Sequence, residues 1–141
     1  MPCVLWISCD CSSEELLKTI ELQPYKIIEK GSVVETKDGE KHFEHTLCGF
    51  DVSTKDFTDF KTLVFESIEW LTANFDHLLK RSSLNTTEKL DFGFYTQFVD
   101  CKIVVQYDTI PWQLMKLASD LQMDIELSQY WFAENQGAQL N

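Results

Sequence analysis

The chain has 141 residues, enough for one domain with a sizeable core. Apolar residues make up 44% and aromatics 13%, as in a globular protein, and no run of about 18 apolar residues offers a membrane-spanning helix. Twelve basic residues against 23 acidic ones leave a net charge of −11, which argues against nucleic acid as a ligand because phosphate neutralisation supplies most non-specific affinity.

The first stretch, Cys3 to Cys9, is apolar on both parities and predicts a central strand. It lacks the basic leader and small-residue cleavage site of a signal peptide. Ser12 or Ser13 is placed to cap a short helix through about Glu21, with Glu14 and Glu15 at its positive end and Leu16, Leu17 and Ile20 as its inner face. Pro24 stops further helix. Tyr25 to Glu29 predicts a short second strand, and Lys37-Asp38-Gly39 signals a hairpin turn. His42 to Val52 predicts a strand with a kink or bulge near Gly49.

Lys55 to Arg81 then carries Phe57, Phe60, Val64, Ile68, Leu71, Phe75, Leu78 and Leu79 at steps of three and four. That spacing predicts one long amphipathic helix of roughly 40 Å, capped at Ser53 or Thr54 with Asp56 in its first turn. Phe60, Ile68, Leu71 and Phe75 are expected to be almost fully buried. Leu90 to Tyr95 and Ile103 to Tyr107 alternate as two strands of a hairpin, with Asp100 in the connection. Pro111 opens a helix bearing Leu114, Leu117, Ala118 and Leu121, and Asp124 to Trp131 predicts the last strand. The tail from Ala133 to Asn141 is polar, so residues 1–132 form the expected domain.

The order β-α-β-β-α-β-β-α-β predicts an α+β fold. A mostly antiparallel sheet with its helices on one face is expected, and the first four strands and two helices follow a ferredoxin-like order. Five cysteines, an odd number, point to free thiols in a reducing cytoplasm.

The sequence offers no catalytic grouping with a known motif: GxSxG, HExxH, GxGxxG and the phosphate-binding loop are all missing. His42, His45 and Cys48 are metal-type ligands spaced by three, a spacing that puts consecutive residues of a strand on opposite faces. Cys9-x-Cys11 lacks the two-residue spacing of redox and zinc motifs. The chain is therefore expected to hold no metal or cofactor and to catalyse nothing.

Three segments carry a resemblance. Lys89-Leu90-Asp91-Phe92-Gly93-Phe94, Ile110-Pro111-Trp112-Gln113-Leu114 and Ile125-Glu126-Leu127-Ser128-Gln129-Tyr130 resemble the small bacterial domains grouped as domain of unknown function 4279. The Leu22 and Pro24 step and the Lys30-Gly31 pair extend the similarity to the first half. Members of that family resemble immunity proteins that accompany bacterial toxins. The resemblance implies a cytoplasmic protein that binds and neutralises a toxin, a basic nuclease among the candidates, and carries no catalytic residues with it. The residues themselves read differently. Gly93 admits a neighbouring aromatic, and the Ser128 and Tyr130 hydroxyls satisfy backbone or Asp91.

Two surface patches fit a protein partner. Asp59, Leu63, Glu66 and Trp70 on the long helix combine apolar anchors with acid, the composition of an interface centre and rim. Asp38, Glu40 and Glu44 around the hairpin turn form the rival patch. A small ligand-binding domain or an enzyme is the alternative reading, for which paired carboxylates near His77 in a deep pocket would be the sign.

Overall fold

The computed structural model describes residues 2–53, 59–95 and 106–130. The elements are β1 (Cys3–Cys9), α1 (Ser13–Ile20), β2 (Lys26–Ile28), β3 (Val33–Thr36), β4 (Gly39–His42), β5 (Thr46–Ser53), α2 (Phe60–Ala73), α3 (Phe75–Leu79), a 3-10 turn (Lys80–Ser83), β6 (Thr86–Tyr95), α4 (Trp112–Asp120) and β7 (Asp124–Tyr130). The expected second strand of the late hairpin, Ile103 to Tyr107, lies outside the described residues over 103–105 and is not strand at Gln106 and Tyr107. Asp100, the end of the last strand at Trp131 and the polar tail also lie outside the described residues, as do Thr54, Lys55, Asp56 and Phe57.

The fold is α+β. Its main sheet runs β2-β5-β1-β6-β7, and β3 and β4 form a separate two-stranded sheet. The apolar run in β1 fits its central place, between β5 and β6. Three pairings are antiparallel, but β7 pairs parallel to β6, so the sheet is mixed rather than antiparallel throughout. The chain reaches β7 through α4, and a helical crossover is the connection that parallel neighbours require.

The helices do not all sit on one face of the sheet, contrary to the expectation from element order. α1 and α2 contact β5, whereas α4 leans on α2 and the edge strand β7, and the short α3 meets α1, α2 and the 3-10 turn. The core gathers alternate residues of β1 (Cys3, Leu5, Ile7 and Cys9) with Phe50, Phe92 and the inner residues of the helices.

α1 forms as expected. Ser12 is its cap, accepting from the Glu15 backbone N–H at 3.1 Å, and Leu16 and Ile20 are buried. The long helix does not run unbroken to Arg81. α2 starts at Phe60, with Asp59 rather than Ser53 or Thr54 as its cap, and Ser53 belongs to β5. It stops at Asn74, whose side-chain amide donates to the Trp70 carbonyl at 2.8 Å. A short polar side chain that bonds nearby backbone offers the chain an alternative to the helical ladder. Fourteen residues make α2 only about 21 Å long. Phe60 and Leu71 are buried, while Ile68 and Phe75 are only partly so.

The irregularity of β5 is displaced as well. The register against β1 shifts between Cys3 and Val4, which leaves Val52 as the extra residue. Gly49 stays in register opposite Trp6. The turn at Lys37-Asp38-Gly39 does join β3 to β4, with Gly39 at φ +116° and the Thr36 hydroxyl donating to the Gly39 carbonyl at 2.7 Å. Pro111 precedes α4 as its cap instead of opening it.

Candidate functional site

The four helix residues chosen as a binding patch are not brought together. Leu63 is fully buried in the core, since steps of three and four from Phe60 carry the buried stripe through it to Ser67 and Leu71. An inward Leu63 is no surface anchor. Asp59 is occupied as a helix cap, accepting from the Thr62 backbone at 3.0 Å and its hydroxyl at 2.7 Å. Only Glu66 and Trp70 share a surface. They border a shallow cleft of about 330 Å³ with Val52, Ser53 and Glu69, and Glu66 accepts from the Ser53 hydroxyl. Trp70 is half-buried against the core.

The rival residues Asp38, Glu40 and Glu44 are all exposed. Lys37 and Lys41 alternate with them, and Glu40 faces the His42 ring at 3.5 Å, so the hairpin carries both signs of charge. His42, His45 and Cys48 do not converge. His45 pairs with Asp10, His42 with Glu40, and Cys48 is buried in the core. Among the described residues no three His, Cys, Asp or Glu side chains come together as a metal site. His77 stands 4.0 Å from Glu21, not beside a carboxylate pair.

Two other surfaces have the geometry of sites. The first is a cleft of about 700 Å³ between α2 and the segment leading into α4. Phe60, Val64, Phe65, Ile68, Tyr107 and Pro111 form its apolar wall. Phe65 is 60% exposed and Tyr107 88%, and beside them on α4 are Trp112 at 65% and Met115 at 51%. Trp112 and Met115 are one helical turn apart, so they share a face. The sequence signal for this patch was present. Phe65, Trp112 and Met115 fall off the buried stripes of their helices, but Phe65 and Met115 directly follow the core residues Val64 and Leu114 and so read as part of the same apolar runs.

The second surface is the sheet face that bears Trp6. Alternation along β1 turns Cys3, Leu5 and Ile7 to the core and Trp6 and Ser8 the other way. A cleft of about 440 Å³ lies there, lined by Trp6, Ser8, Leu47, Thr87, Lys89, Asp91 and Glu126, all of them strand residues. Lys89 and Glu126 form an ion pair at 2.8 Å, and this bond and charge raise the Lys89 pKa. The Ser128 hydroxyl donates to Asp91 at 2.7 Å, the contact anticipated for that pair. Burial raises the pKa of Asp51, whose Oδ1 has no hydrogen-bond partner among the described residues. Burial, then the charges of Asp51 and Asp91, raises that of the Tyr25 phenol.

No protein-family model, curated protein or solved structure matches this chain. The side chains must speak for themselves. The α2–α4 surface presents large apolar groups, suited to a desolvated contact. The Trp6 face presents acceptors and an aromatic ring, suited to a polar one. No helix is long and apolar enough to cross a membrane among the described residues.

Proposed function

We propose that this chain is a non-catalytic, cytoplasmic binding module of the immunity type, which occludes a protein toxin through the α2–α4 surface. The observation that carries this reading is the exposure of Phe65 and Tyr107 at the cleft, together with that of Trp112 and Met115 on α4, the helix that follows it. Aromatic residues and methionine are the types enriched in interface cores, and a few such anchors supply most of the binding energy. The net charge of −11 complements the basic surface that a nuclease toxin needs for its substrate. The resemblance in residues 89–94, 110–114 and 125–130 points the same way. The finer fold reading that goes with it is a ferredoxin-like core of β2-β5-β1-β6, extended by β7, and the three antiparallel pairings support that.

The test is co-expression with the product of the neighbouring gene. A complex should copurify, cells should survive the toxin, and Trp112→Ala should weaken binding by tenfold or more. Absence of both protection and complex at low salt refutes the reading. A second reading has one observation of its own: a cleft of about 700 Å³ falls in the size range of small-molecule sites, and its wall is apolar. Saturable uptake of an apolar ligand blocked by Phe65→Glu, with no protein partner, would favour it.

A further inference from the structure

We infer a second binding site, on the Trp6 face of the sheet, that takes the guanidinium group of an arginine presented by a basic protein. It rests on the toxin-binding reading for the partner that presents the arginine, not for the site itself.

The floor of the site is the indole of Trp6. A Cβ on Gly49 would lie 2.6 Å from that ring, so the missing side chain lets the indole lie down across β5. Tyr25 packs beside it, with centroids 6.0 Å apart and planes at 58°, and remains 44% exposed. The aromatic pair is thus held in place, with part of it open to solvent. Planar cations stack on such faces, indole best of all.

Carboxylates flank this floor in register. Asp51 and Asp91 both pair with Val4, from opposite sides of β1, which puts their Cα atoms roughly 10 Å apart. Both act on the Tyr25 phenol, so both are within electrostatic reach of the aromatic pair. Each retains acceptor capacity. Ser128 supplies one donor to Asp91 Oδ1, and Asp51 Oδ1 is buried with no partner among the described residues. Asp51 does not line the cleft, so it acts on a bound guanidinium through its charge, and Asp91, which does line it, supplies the hydrogen-bond acceptors.

One cation on this face already acts on the pair, since Asp91 is among the charges that raise the Lys89 pKa. The Lys89 ammonium is engaged by Glu126 at 2.8 Å, with Asp124 opposite it in register. Lys26 is exposed on the edge strand β2, across Gly49 from Trp6. A cleft of about 440 Å³ leaves room for a long side chain between Trp6 and Asp91. Guanidinium fits this set better than ammonium. It is flat enough to stack on the indole while its fork of N–H donors reaches acceptors to the side, which a compact ammonium cannot do at once.

The probe is the capped tripeptide acetyl-Gly-Arg-Gly-amide, titrated into the full chain and followed by nuclear magnetic resonance. Citrulline and lysine tripeptides are the controls, since citrulline keeps the shape without the charge and lysine the charge without the plane. Saturable shifts at the Trp6 indole N–H and at Tyr25 are expected with the arginine peptide. Lysine should bind several-fold more weakly and citrulline not measurably. Asp91→Asn should weaken the arginine peptide about tenfold, and Asp51→Asn, which removes charge without changing shape, should act in the same direction. Equal binding of lysine, any saturable binding of citrulline, shifts centred on Phe65 or Trp112 instead, or no saturation would each overturn the assignment. The two proposals fail separately. A toxin complex indifferent to Asp91→Asn and Asp51→Asn refutes this site alone, whereas peptide binding without any toxin complex refutes the function alone.

Discussion

Trp6 can lie against the sheet only because residue 49 has no Cβ. Gly49→Ala would bring a methyl group to within 2.6 Å of the indole, and the ring would have to lift off β5 and away from Tyr25. The expected cost is about 1–3 kcal/mol, the range for overpacking, measurable by urea denaturation. An unchanged midpoint would show that the ring swings out freely. Asp51 makes the opposite prediction. Its folded pKa is raised by burial above the ordinary 3.8, so the folded state favours the protonated carboxyl. The contribution of this group to stability is intact below pH 3.8 and is lost as pH rises through the folded value. Asp51→Asn should therefore raise Tm at neutral pH, with the advantage gone below that ordinary value. A Tm advantage that persisted in acid would mean that burial of the charge is not its source. Burial likewise pushes the thiols of Cys3 and Cys9 up to about 12 and that of Cys48 to about 11. The thiolate is the reactive form, so iodoacetamide on the native protein should label the less buried Cys11 before these three, as peptide mass mapping would show. The Trp6 contacts were not legible in the sequence, because Gly49 and Tyr25 lie 43 and 19 positions away and only the fold brings them to the indole.

Among the elements, the long helical segment shows what a periodic pattern can and cannot reveal. Steps of three and four located Phe60, Val64, Leu71 and Leu78 on the buried side correctly. They did not reveal that the helix breaks, since Asn74 is an ordinary polar residue until its amide finds the Trp70 carbonyl. Nor did they place Leu63, which sits on the border of the stripe and turns inward because α2 is covered by both β5 and α4. The break has a consequence for what holds the elements together. Arg81, just beyond α3, is buried and donates to the carbonyls of Leu78, at 2.6 Å, and Leu121. Its Nε stands 2.5 Å from Glu88 Oε1 of β6, close enough for an ion pair though off the hydrogen-bonding direction. One side chain thus ties the end of α3 to β6 and to the end of α4. Removing one charge would strand the other in the interior. Glu88→Leu alone should cost on the order of 3–5 kcal/mol in chemical denaturation, and adding Arg81→Met should recover much of it. If the double variant is no better than the single, the carbonyl bonds of Arg81 matter more than the pair.

At the scale of the molecule, the α+β class and the central place of the first strand were legible because they rest on local pattern. Parallel pairing of β7 was not, since alternation along a strand is blind to the direction of its neighbour. The charge was legible as a number but not as a map. The structure separates its surfaces: exposed aromatics gather between α2 and α4, carboxylates flank Trp6 on the sheet, and the hairpin mixes both signs of charge. This division makes the last prediction specific. Long-range attraction from a net charge of −11 acts on the encounter and is screened within about 10 Å at 0.1 M salt. Desolvated aromatic contacts act after the encounter, and they set how long a complex lasts. In stopped-flow measurements with the partner, added salt should slow association while changing dissociation little. Trp112→Ala and Tyr107→Ala should do the reverse, speeding dissociation tenfold or more with association nearly unchanged. Neutralising exposed carboxylates remote from the cleft, such as Glu35 and Glu40, should slow association only modestly, because Lys37 and Lys41 already offset that hairpin. If salt instead governs dissociation, or the aromatic variants leave it unchanged, then charge rather than the α2–α4 surface holds the complex together.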